Sequence, residues 1–318
     1  MSDDNEAVET RAALLIAAAP DPATQGNVIF HKVRDLSEKE FDRYSAAYRT
    51  LDSILVANLF TYYVVAVKSL VSLGEEANKT LATSPLPING QPDYMVALGT
   101  RLRGAVLSVV SMLCYHQERT YEDICAKFGK DGPEHQAAKS IFNGLFDDFF
   151  GYRYLYKLRN MMIHETMFAV SITAEAYANK GDPIGLVQLN MDRDVFLESN
   201  KISPALKAEL GSKPGDPSII QMIMEIHWEM RKANRKLLTI IHPDLTSVCE
   251  TVVEFDRLFE GRDGTRGLIH QQSPELRAPF TTGFTAWVGD VVMFARSYTT
   301  EDWNNTDSDR YGSEGPTG

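Results

Sequence analysis

Between residues 38 and 76 apolar side chains recur at steps of three and four: Tyr44, Tyr48, Leu51, Leu55, Leu59, Tyr62 and Ala66. A helix of about 3.6 residues per turn gathers that spacing into one continuous stripe. The stretch 53–67 carries no charge, so the middle of this helix is apolar on every side and is expected to run through the centre of the fold. It falls short of the roughly 20 residues that a bilayer-spanning helix needs, and Asp52 and Lys68 bound it. The expectation is a buried helix and no membrane partner.

The same period predicts helices over 94–117, over 135–158 with an interruption near Gly151, and over 160–179. The last of these has Ile163, Met167, Val170, Ala174 and Tyr177 on its apolar side. Four such helices suggest an up-and-down bundle. A short alanine-rich helix is expected over 9–19. Beyond Lys180 the texture changes. Residues 184–197 alternate weakly, as a small strand pair would, and Asp216-Pro217 reads as an N-cap followed by a first-turn proline. Residues 218–241 and 243–259 are helical in pattern, 261–267 is a loop, and 284–298 fits a strand or a helix. The fold class expected is therefore all-α: a four-helix bundle with an α-rich C-terminal region. The divisions fall at 1–35 for an N-terminal segment, 36–180 for the bundle, 181–300 for the second region and 301–318 for a polar tail.

The net charge of −11 argues against a broad basic surface for nonspecific nucleic-acid binding, while leaving room for a small basic cleft. Cys114, Cys125 and Cys249 are sparse and form no Cys-x-x-Cys pair, which fits a reducing, cytoplasmic setting and gives no zinc spacing. His164-Glu165 is not a zinc-protease motif, since Phe168 stands where the second His belongs. His227 has no partner His one turn away, and the 261–267 loop lacks the Lys-Ser/Thr ending of a P-loop. No metal and no cofactor is expected.

What remains is Arg159-Asn160-Met161-Met162-Ile163-His164. On an unbroken helix Arg159 and His164 lie about 140° apart around the axis and share no face. Asn160 is a favoured N-cap residue, and with Asn160 at the start of a helix Arg159 could fold over the first turn while Asn160 and His164 share a side. A helix N-terminus, a guanidinium and an imidazole would then converge on a phosphate. With His164 as general acid/base and Arg159 stabilising charge on phosphorus, RNA could be cut through its own 2′-hydroxyl without a metal. Just upstream, Arg153, Tyr156 and Lys157 are candidates to bind the substrate strand by phosphate contacts and stacking.

This motif, placed at the start of the last helix of a bundle, resembles that of HEPN domains (higher eukaryotes and prokaryotes nucleotide-binding). The resemblance spans roughly residues 38–180, and only the hexapeptide is specific. It implies a metal-independent endoribonuclease of the kind found in toxin–antitoxin and phage-defence systems, with Arg159, Asn160 and His164 as its catalytic set. It also implies a homodimer with RNA or a nucleotide as ligand, and an antitoxin or other regulatory protein as partner. Some toxins of the family carry a Tyr two residues after the His; this chain has Thr166, so transfer of a nucleotide onto a phenol is not implied. Other HEPN domains bind nucleotides or partners without cleaving RNA, which gives the alternative of a catalytically silent binding or scaffold protein.

Overall fold

The computed structural model describes residues 10–18, 28–83, 92–180, 182–271 and 283–299. The expected tail at 301–318 lies outside them. The described residues form two compact units. One comprises residues up to Ala57 together with those from His242 onward, and the other runs from Asn58 to Ile241. The chain is not all-α: it is helix-rich but carries a four-stranded and a two-stranded antiparallel sheet.

The first unit is built on the larger sheet. Strand β1 (Thr10–Ala18) pairs with β2 (Val28–Asp35) and, on its other edge, with β5 (Thr265–Gln271); β5 pairs in turn with β6 (Phe284–Ala286). The helix expected over 9–19 is thus a central strand. An apolar run this short cannot be assigned by periodicity alone, and with ladder partners on both edges the extended form buries Ala12, Ala13, Leu14 and Leu15 completely or nearly so. Ala12, Leu14 and Ile269 form a small cluster with Ile16, Phe30 and Phe284 against it. Three helices complete the unit: α1 (Glu38–Ala57), α9 (Leu245–Arg257) and α10 (Gly289–Thr299). Their aromatic core joins Tyr44 to Phe255 at 5.0 Å, Phe255 to Trp287 at 4.0 Å and Trp287 to Tyr48 at 4.9 Å. The buried carboxylate of Asp256 is held between Arg266 and Arg296.

The second unit holds α2 (Leu59–Thr83), α3 (Pro92–Phe128), α4 (Pro133–Asp148), α5 (Phe150–His164), the hairpin β3 (Val170–Asn179) and β4 (Asp182–Met191), and α6 (Arg193–Glu198), α7 (Pro204–Gly211) and α8 (Ile219–Ile241). The helix expected to be continuous over 38–76 is divided at Asn58, whose Oδ1 accepts the N–H of Phe60 and starts α2 afresh. Val56, Tyr62 and Val65 are exposed, so its middle is not buried on every side. The apolar stripe of α3 (Leu98, Leu102, Val106, Val109, Leu113) is buried in this unit's core. By length and composition alone α3 would suffice to cross a bilayer. Gly151 lets α5 approach α8 closely: a Cβ there would lie 2.6 Å from the Met222 carbonyl oxygen and 2.9 Å from Ile226 Cγ2.

The start of α8 also differs from expectation. Its first turn is capped by Ser218, whose Oγ accepts the N–H of Gln221 at 3.3 Å, while Asp216 accepts the N–H of Arg193 instead. The strand pair anticipated at 184–197 exists, but it is shifted: β4 ends at Met191, and its partner is the segment read as helix over 170–179. That segment alternates Ile172, Ala174 and Ala176 with polar neighbours, a period-two pattern that coincides with the helical period over ten residues.

Candidate functional site

Helix α5 begins at Phe150, after a break at Phe149, and stays helical through Arg159 and Asn160 to His164. The N-cap expected at Asn160 is therefore absent. Tyr152, Tyr154, Leu155, Leu158, Met161 and Met162 form one buried face that runs straight past it, and that packing outweighs the local preference of Asn for a cap. The consequence is electrostatic. His164 occupies the C-terminal end of a helix, where the partial charge is negative, so no helix-start anion site exists at the motif. The helix ends at Glu165, and Thr166 Oγ1 then caps a short 3₁₀ turn (Met167–Ala169) that leads into β3.

Four residues of α5 sharing one side, Lys157, Asn160, Met161 and His164, form one wall of a cleft of about 290 Å³. Lys201 and Ile202, in the connection between α6 and α7, form the facing wall. Met161 and Ile202 are nearly fully buried and make an apolar floor. Above it stand two ammonium groups, an imidazole and a carboxamide. Among the described residues neither the Lys157 nor the His164 side chain forms an ion pair or hydrogen bond; the Lys157 ammonium lies 6.0 Å from the centre of the Phe146 ring, a weak contact that a ligand could replace. Lys201 Nζ lies 3.5 Å from Glu165 Oε1, and Ser199 Oγ donates to the same carboxylate oxygen at 3.0 Å. Glu165 thus ties the far wall back to the end of α5.

Arg159 lies on the other flank of the helix, as the 140° offset requires for unbroken α-geometry. Its Nη1 lies 3.8 Å from Glu118 of α3 and donates to Asn160 Oδ1 at 3.1 Å. Its Nε is buried with no hydrogen-bond partner. Arg159 therefore reaches the cleft only through Asn160. Arg153 is occupied elsewhere: its Nε and Nη2 grip Glu209 of α7 at 3.2 and 2.7 Å, and Nη1 donates to the carbonyls of Phe146 and Asp147. The Tyr154 hydroxyl shares its one proton between the Leu206 carbonyl at 2.6 Å and Glu209 at 3.0 Å, so this group pins α7 onto α5. Tyr156 packs half-buried against the core, edge-on to Phe146, and burial raises the pKa of its phenol.

Of the residues the sequence suggested, then, the structure brings Lys157, Asn160 and His164 together and leaves Arg159 one residue removed. It places Arg153 and Tyr156 in packing roles. Lys201, Ile202 and Glu165 were missed. Nothing local marks Lys201 and Ile202, because only the fold of α6 and α7 against α5 places them there. Among the described residues no three His, Cys, Asp or Glu side chains come together as metal ligands. Cys114 is buried in the core, which raises its thiol pKa to about 12 and leaves it no nucleophile.

The chain matches no known family model, no characterised protein and no solved structure.

Proposed function

We propose that the α5 cleft recognises phosphate, and that the chain is a nucleotide- or RNA-phosphate-binding protein, the silent counterpart of the nuclease its HEPN-like motif suggests. One observation carries this reading: Lys157, Asn160, His164 and Lys201 converge on one cleft from two separate elements. Two ammonium groups with a carboxamide and an imidazole over an apolar floor are what a phosphate ligand calls for. Cleavage through a 2′-hydroxyl asks for more, since a base and a charge-stabilising cation must meet on the same phosphate. Arg159, the cation expected for that task, is turned toward Glu118 and Asn160.

A specific observation favours the endoribonuclease as the second reading. The buried, unpartnered Nε of Arg159 is one residue from the cleft, and a swing of the guanidinium past Asn160 would bring it toward His164. Equilibrium binding of mononucleotides and short RNAs in excess EDTA, with the RNA ends analysed afterwards, separates the two. The expected result is binding that falls at least about tenfold in Lys157→Ala and in Lys201→Ala, as loss of a charge-assisted contact implies, with the RNA intact. RNA cut to 2′,3′-cyclic phosphate ends, with the activity lost in His164→Ala, would transfer the assignment to the nuclease. No measurable binding of any phosphate ligand sinks the proposal.

A further inference from the structure

Resting on that reading, we infer that the cleft selects a terminal phosphate on a compact ligand over the internal phosphodiesters of an RNA strand. Three features of the site point the same way. Its volume of about 290 Å³ sits at the lower end of small-molecule pockets, enough for a phosphorylated group and little more. Its apolar lining is Met161 and Ile202, and the one ring among its lining residues is the His164 imidazole, so it offers no row of rings on which successive bases could stack, although such platforms are the usual device for holding single strands.

The third feature is a built-in competitor. Glu165 accepts a hydrogen bond from Ser199 and lies 3.5 Å from the Lys201 ammonium, so Lys201 already faces a carboxylate of unit charge. A phosphodiester also carries a single charge and gains little by displacing it. A phosphomonoester carries about −1.5 to −2 near neutral pH and offers three acceptor oxygens, so it draws Lys201 away from Glu165 and bridges it to Lys157. Glu165 is thus a positioning residue that sets the charge threshold for entry. Lys201, with its side chain 56% exposed, has the freedom to make the exchange.

The test is calorimetric binding to the full chain of adenosine 5′-monophosphate, adenosine, inorganic phosphate, and one short RNA with either a 5′-phosphate or a 5′-hydroxyl. The monophosphate should bind at least about tenfold tighter than adenosine, and the 5′-phosphorylated RNA tighter than its hydroxyl twin by a similar factor. Glu165→Gln keeps an acceptor for Ser199 but removes the charge. It should narrow the gap between the two RNAs about threefold or more by strengthening the hydroxyl form. Equal affinity for the two RNAs, both weakened by Lys157→Ala, would overturn the inference while leaving the phosphate-binding reading intact. An unchanged gap in Glu165→Gln would overturn the role given to Glu165. Failure of every probe to bind would bring down the underlying reading itself.

Discussion

Asp256 in one unit and His116 in the other are buried in contrasting ways. In the sheet-based unit Asp256 is 1% exposed at its side chain and sits between two arginines from different elements. In the helical unit His116 is buried beside Phe60 and Phe142 with only Asn234 against Nε2, at 3.2 Å, and its Nδ1 has no partner. Burial pushes its pKa down to about 4, so the ring is kept by being neutral. A buried neutral imidazole is penalised as soon as the unfolded chain can take up a proton. The α5 cleft, lined by Lys157, Lys201 and His164, lies in the same unit as His116.

The largest expected effect comes from breaking the charge pairing. Asp256→Ala leaves Arg266 and Arg296 facing each other and should cost about 3 kcal/mol, the low end for a buried pair because both arginines are partly exposed. Urea denaturation measures the loss, and hydrogen exchange should place it in the sheet-based unit. Ligand affinity at the α5 cleft should stay within about twofold. A loss spread evenly over both units would end the contrast drawn here.

Of comparable size is the acid response of His116. Its folded pKa of about 4 lies below the unfolded value of about 6.5, so its contribution is complete above pH 6.5 and lost as pH falls through 4. The integrated loss is about 3 kcal/mol. Glu254 behaves differently: the hydrogen bonds from Arg43 at 2.6 and 2.7 Å hold its pKa at about 2, against burial, so its contribution persists to much lower pH. Stability measured between pH 7 and 4 should therefore drop first in the helical unit, and His116→Gln should flatten that drop. A pH-independent exchange pattern across this window in the wild-type chain would remove His116 from the account.

The smallest effect concerns the packing of α5 on α8. Gly151→Ala places a methyl 2.6 Å from the Met222 carbonyl and should cost about 2 kcal/mol through displacement of α5 from α8. Because the cleft uses α5 as one wall, the variant should also weaken phosphate binding, which Asp256→Ala should not. Equal ligand affinity in the two variants would show that the wall is positioned by something other than this contact.

Much of the helical framework was legible: the stripes of α3, α8 and α9 follow from three- and four-residue spacing, and the interruption expected near Gly151 falls two residues earlier, at Phe149. The two strands read as helices share one cause. Residues 10–18 and 170–179 are short segments of small and branched side chains whose spacing satisfies two periods at once, and ladder partners far away in sequence settle the matter: Arg266 opposite Leu15, and Leu189 opposite Ile172. Of the residues lining the cleft, the sequence singled out Asn160 and His164 by their motif and Lys157 by its place just upstream, and α5 sets the three on one side. Sequence reasoning misread the geometry of Arg159, because the choice between an Asn cap and an uninterrupted helix is made by the buried face of α5 and not by Asn160.

What the sequence determined by itself is which residues near the motif can carry charge and donate hydrogen bonds, because that depends on side-chain chemistry alone. Only the tertiary structure decided that α5 runs through Asn160, that Arg159 turns toward Glu118, and that Lys201 and Glu165 complete the cleft. These outcomes depend on burial of apolar surface shared between segments some forty residues apart, and no local preference of about 1 kcal/mol competes with burial on that scale.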